Sequence, residues 1–128
     1  MNEITSEWVL KAESDFDAAD LTLHGREAPI VDAVCFHSEQ CAEKYLKAFL
    51  QEKGIRFERT HVLGSLLGLC ISADKEFKKI ATDLDSLEGY GIAVRYPGAT
   101  ATKELAERAF ESAGRVRAFI RKKLGIKR

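Results

Sequence analysis

The polar residues in the segment A-V-C-F-H-S-E-Q-C-A-E-K-Y-L-K-A-F-L, from Ala33 to Leu50, have the types and the spacing for binding chemistry. Gln40, Glu43 and Lys47 are three or four positions apart, so on a helix turning about 100° per residue they share one arc with Phe36 and Leu50. An amide, a carboxylate and an amine set between two large apolar side chains suggest a partly buried groove or a subunit contact, where polar groups must find partners. A plainer reading also fits. Glu43 and Lys47, one turn apart, could simply pair across an exposed surface for about 0.2–0.5 kcal/mol. Phe36 and Leu50 favour the covered alternative, with the polar trio bonding across a boundary between subunits.

Other candidates lie outside this segment. Asp15 falls close to the apolar stripe of an earlier helix and needs a partner there. His61 follows Thr60 at an expected helix start, where its ring could bond local backbone, the favoured role, or reach a ligand. Arg95 and Tyr96 precede Pro97-Gly98 and so hang from a rigid turn. There an arginine can fork two hydrogen bonds to a phosphate or carboxylate, and a tyrosine can stack on a base. Equally, Arg95 could satisfy helix carbonyls while Tyr96 plugs the core. His37 and Cys41 are four apart, yet no second His/Cys pair with zinc spacing exists, so no metal site is expected, and no cofactor. No phosphate loop, dinucleotide-binding glycine fingerprint, nucleophile elbow or zinc protease helix is present.

Helices must position these side chains. The two prolines and most glycines fall where helical patterns stop, which predicts an all-α, antiparallel up-and-down bundle of four main helices plus a short extra one, in one domain over residues 1–128. The first helix is expected from an N-cap at Thr5 or Ser6 to His24, closed by Gly25, with Trp8, Ala12, Phe16, Ala19 and Leu23 buried. The second runs from Pro29 to Gly54 and buries Val34, Ser38, Cys41, Ala42, Tyr45 and Phe49. A short third helix, capped by Thr60, carries Leu63, Leu66, Leu67 and Cys70. A fourth starts at Asp74 and fades through Glu88-Gly89-Tyr90-Gly91 into an irregular stretch from Ile92 to Gly98, where a strand would have no partner. The last spans Thr100 or Thr102 to about Leu124, stopped by Gly125.

Composition narrows the function classes. Twenty basic and twenty acidic residues give zero formal charge, so no global pull toward nucleic acid or membrane exists. Arg115, Arg117, Arg121, Lys122, Lys123, Lys127 and Arg128 nevertheless make the C-terminus basic, either as a solvated helix end favoured by the dipole or as an RNA or phosphate contact. Three cysteines, with no secretory signal in the polar N-terminus, fit a reduced cytoplasmic protein. The most apolar run, Val62 to Ile71, is broken by Gly64, Ser65 and Gly68 and does not reach membrane-spanning length.

Three segments together resemble the HEPN domain, the higher-eukaryote and prokaryote nucleotide-binding class of small helical bundles. They are W-V-L-K-A-E-S-D-F-D-A-A from Trp8, F-H-S-E-Q-C-A-E-K-Y-L-K-A-F-L from Phe36, and T-H-V-L-G-S-L-L from Thr60 with the later Y-G-I-A-V-R-Y-P from Tyr90. The resemblance covers nearly the whole chain. It implies a dimeric bundle, often encoded beside a minimal nucleotidyltransferase and associated with nucleotide or RNA biology. The matching positions, and so the implied nucleotide-binding residues, are Asp15, Gln40, Glu43, Lys44, Lys47, His61, Tyr90, Arg95 and Tyr96. Phe36 and Leu50 are the expected dimer anchors.

Ribonuclease members of that superfamily carry an arginine followed four to six residues later by a histidine near the later helices. After Arg95 this chain reads Y-P-G-A-T-A-T-K, without a histidine. Arg56 precedes His61 in R-F-E-R-T-H, but in the connection before the third helix. The expectation is therefore a noncatalytic homodimer that binds a nucleotide or a nucleotidyltransferase partner. The rivals are a metal-independent ribonuclease toxin of a toxin-antitoxin pair, using Arg56 and His61, and a purely structural homodimeric module.

Overall fold

The computed structural model describes residues 1–95, 97 and 102–127, with backbone only for 91–95. Among the described residues every regular element is helical. The order is α1 (Glu3–His24), α2 (Val31–Glu52), α3 (Leu63–Ala73), a 3-10 turn (Lys75–Ile80), α4 (Ala81–Arg95) and α5 (Lys103–Lys123). The fold is the all-α bundle expected, with α3 as the short extra helix.

α2 is the axis of the molecule. Thirteen of its 22 residues are buried, too many for a single stripe, and it packs against α1, α3, α4 and α5. Its apolar side carries Tyr45, Leu46, Phe49 and Leu50 into the main core, where Phe49 meets Phe77 of the 3-10 turn at 4.3 Å between ring centroids. Phe119 of α5 also meets Phe77, edge to face at 5.1 Å.

Helix ends follow local chemistry, and several differ from expectation. Asn2, not Thr5 or Ser6, caps α1: its Oδ1 accepts from the Thr5 N–H at 2.8 Å and from the Thr5 hydroxyl, drawing Thr5 into the buried face. α2 starts at Val31, just beyond Pro29. Thr60 does not cap α3. Its Oγ1 accepts from the Val62 N–H, the chain is extended at Val62, and α3 begins at Leu63 without a side-chain cap. The pattern from Asp74 opens as a 3-10 turn, because the Asp74 carboxylate takes the Glu76 N–H. α4 then continues through Gly89 and Gly91 to Arg95, so the residues from Ile92 to Arg95 are helical rather than irregular. Its apolar side, Leu84 and Leu87, is in the core, and such packing outweighs the helix cost of about 1 kcal/mol per glycine. Tyr96, placed by the sequence in the irregular stretch, lies outside the described residues. Thr102 caps α5 as expected, accepting from the Leu105 N–H.

Candidate functional site

The link between α2 and α3 builds the site. Gly54, at φ 68°, turns the chain back out of α2, a conformation that other residues reach only with strain, and the Ile55 N–H then bonds the Leu50 carbonyl. The extended stretch that follows lies against α1 and α2. Together they enclose a cleft of about 400 Å³ lined by Trp8, Lys47, Phe57, Arg59, Thr60 and His61.

Glu43 organises this cleft from below. It is only 2% exposed, and its carboxylate accepts from Lys47 Nζ at 3.0 Å and from His61 Nδ1 at 3.1 Å. A carboxylate can only accept, so Nδ1 carries the proton and Nε2 of the 77% exposed imidazole is left to accept or to be protonated. Lys47 is buried too, with its ammonium 5.3 Å from the centre of the Trp8 ring. The pair is therefore neither the exposed surface pair nor a cap, the two plainer roles open to Glu43–Lys47 and His61. Glu43 cancels the Lys47 charge. Arg59 is exposed and has no ion pair among the described residues, so the rim of the cleft is positive. Trp8 and Phe57, 6.4 Å apart and tilted by 60°, supply apolar walls. The cleft thus offers cations for an anion and π faces for a planar group.

The remaining candidates are distributed. Asp15, 8% exposed, does find partners: His37 Nδ1 at 2.8 Å and Lys44 Nζ at 2.5 Å, so α1 clasps α2 there. Gln40 is half-buried. Tyr90 is half-buried and packs on the core instead of entering the cleft. The Arg95 side chain and Tyr96 lie outside the described residues. Phe36 is 55% exposed, as a surface anchor must be, but Leu50 has no exposure at all. Leu50 belongs to the protomer's own core, because α2 is covered on more sides than a peripheral helix would be; it offers nothing to a second subunit. Arg56 borders hollows of about 360 and 290 Å³ beside Phe57, and His61 lines the cleft of about 400 Å³.

Sequence reasoning missed three residues that line the cleft. Trp8 was expected in the core, yet it is half-buried at the cleft wall, and Phe57 and Arg59 were passed over. The available signal was an aromatic and two arginines in a short connection between helices. It also missed Glu13. Its carboxylate takes a bidentate pair from Arg117 at 2.6 and 2.7 Å and the Tyr45 hydroxyl at 2.5 Å, and Arg121 bonds the same hydroxyl. The Arg117 hydrogen bonds hold the Glu13 carboxyl below its ordinary range. Arg115 likewise pairs with Asp83, and Lys123 with Asp74. Much of the basic C-terminus is thus engaged in ties between elements, rather than forming a free solvated or RNA-facing patch.

The HEPN domain model matches residues 5–123. The chain belongs to the HEPN family. A protein of Methanocaldococcus jannaschii named "Putative toxin MJ1304" is 30% identical to it, in an alignment covering 94% of this chain and 90% of that one. Two crystal structures share the fold. One is TT1696 from Thermus thermophilus, with a TM-score of 0.76 at 24% identity over 96% of this chain and 99% of the other. The second is ST0689, titled an archaeal HEPN homologue, with a TM-score of 0.69 at 25% identity over 99% and 100%. Family membership thus covers the helices and connection that form the cleft.

Proposed function

We propose that this HEPN protein is a noncatalytic nucleotide-binding module, with the nucleotide held in the Trp8–Lys47–His61 cleft. The observation that carries this reading is the joining of aromatic walls to a positive rim above a buried carboxylate. Arg59 and His61 meet the phosphate, and the base lies against Trp8 or Phe57. Lys47, neutralised by Glu43, shapes the floor. The chain has no histidine four to six residues after Arg95, and its Arg56–His61 spacing lies in the α2–α3 connection, which weighs against ribonuclease chemistry.

The module works as a homodimer through the α2 surface around Phe36. A minimal nucleotidyltransferase is the partner that family resemblance implies. Three buried, unpaired cysteines fit a reducing, cytoplasmic setting. Burial raises their thiols, Cys35 to about 11 and Cys70 to about 12, so they stay protonated and inert. Among the described residues no helix is long and apolar enough to cross a membrane.

Calorimetric titration with AMP and with UMP tests the binding claim. Saturable heat that falls at least about tenfold in affinity in Arg59→Ala is expected, the loss of one charge-assisted contact. Absence of saturable heat with both nucleotides would refute it.

A further inference from the structure

Phe57 lines two hollows. One is shared with Trp8, Lys47, Arg59 and His61; the other, of about 360 Å³, also takes in Arg56, Glu58, Ser65, Leu66 and Leu69. Thr60 borders both, so the two hollows meet along the connection, and each has its own arginine. Neither Arg56 nor Arg59 has an ion pair among the described residues.

We propose that the two hollows act as one site for a ligand with two bases joined by a phosphodiester, a reading that rests on nucleotide binding in the first cleft. The first base lies against Trp8. The linking phosphate passes Thr60, whose hydroxyl and the flanking Arg59 supply donors. The second base lies on Leu69 beside Phe57. Glu58 would repel a phosphate in the second hollow, but its carboxylate accepts hydrogen bonds from the exocyclic amine of a base. Arg56 stacks on the outer face of that base or meets a further phosphate. A single nucleotide would leave this second hollow empty. The same chemistry comes from two sources, a free dinucleotide or two consecutive nucleotides of a single strand.

Trp8 is the chain's one tryptophan and lines the first cleft, so its fluorescence reports occupancy there directly. Titrations would compare AMP, the dinucleotide pApA and decaadenylate. We expect pApA to bind about tenfold more tightly than AMP, the effect of one added stacked base. Arg56→Ala and Ser65→Tyr, which fills the second hollow from an exposed helix position, should each abolish that gain and leave AMP binding unchanged. Decaadenylate binding more tightly than pApA would identify a strand as the source, and equal binding a free dinucleotide; both presuppose the gain. Equal affinities for AMP and pApA, or a gain that survives both variants, would overturn the two-base site while leaving the single-nucleotide reading intact. Failure of AMP itself to alter the fluorescence would instead remove the reading beneath it.

Discussion

A carboxylate as buried as Glu43 must be neutralised; Lys47 does this from one turn along α2, and His61 adds a hydrogen bond from the α2–α3 connection. Glu43→Leu would leave the Lys47 ammonium buried without its counter-charge, so a loss of about 2–4 kcal/mol in urea unfolding is expected, with the Trp8 environment altered as Lys47 withdraws. Ser38 is the opposite case. Its hydroxyl oxygen is buried with no hydrogen-bond partner among the described residues, so Ser38→Ala should leave stability unchanged or raise it by up to about 1 kcal/mol in the same measurement. At this scale the sequence was partly legible. Spacing put Glu43 and Lys47 on one arc, but it could not show that a returning connection would cover that arc and bring His61 onto Glu43. Leu50 was misjudged for the same reason: periodicity tells which residues share a face of α2, not how many neighbours enclose it.

Among the elements, the tie between α1 and α5 depends on charge. Arg117 depresses the Glu13 carboxyl, so Glu13 contributes stability that is fully present above the ordinary glutamate value of 4.5 and is lost as pH falls through the depressed value. Wild-type melting temperature should therefore drop on acidification below about pH 4.5, more steeply than that of Glu13→Gln. At neutral pH the variant should be about 1–2 kcal/mol less stable, allowing for the partly exposed pair. The helices themselves were readable because their apolar periods run long and their stops are chemical. Gly25, Gly54, Thr102 and Gly125 fall where helices begin or end. The exceptions have local causes. Asn2 outcompetes the hydroxyls at Thr5 and Ser6 for the α1 cap, and packing of Leu84 and Leu87 carries α4 past two glycines that looked like a stop.

For the whole molecule, the α2 helix divides the labour. One side fills the core, while Phe36 is exposed and the buried Lys47 lines the cleft. If the Phe36 surface joins two copies, light scattering should give a dimer mass for wild type and a monomer for Phe36→Asp; an unchanged mass would place the contact elsewhere. The fold class and family were visible in the order of helices and in three segments distributed over the chain. The cleft was not, because its walls come from α1, from α2 and from a connection with no periodicity to read. The central claim is that a nucleotide occupies this cleft, and the indole N–H resonance of Trp8 in a proton–nitrogen correlation spectrum tests it most directly. On titration with AMP it should shift saturably together with the backbone resonances of Arg59 and His61. A Trp8 signal that stays in place at saturating AMP, or shifts confined to residues remote from the cleft, would contradict the account.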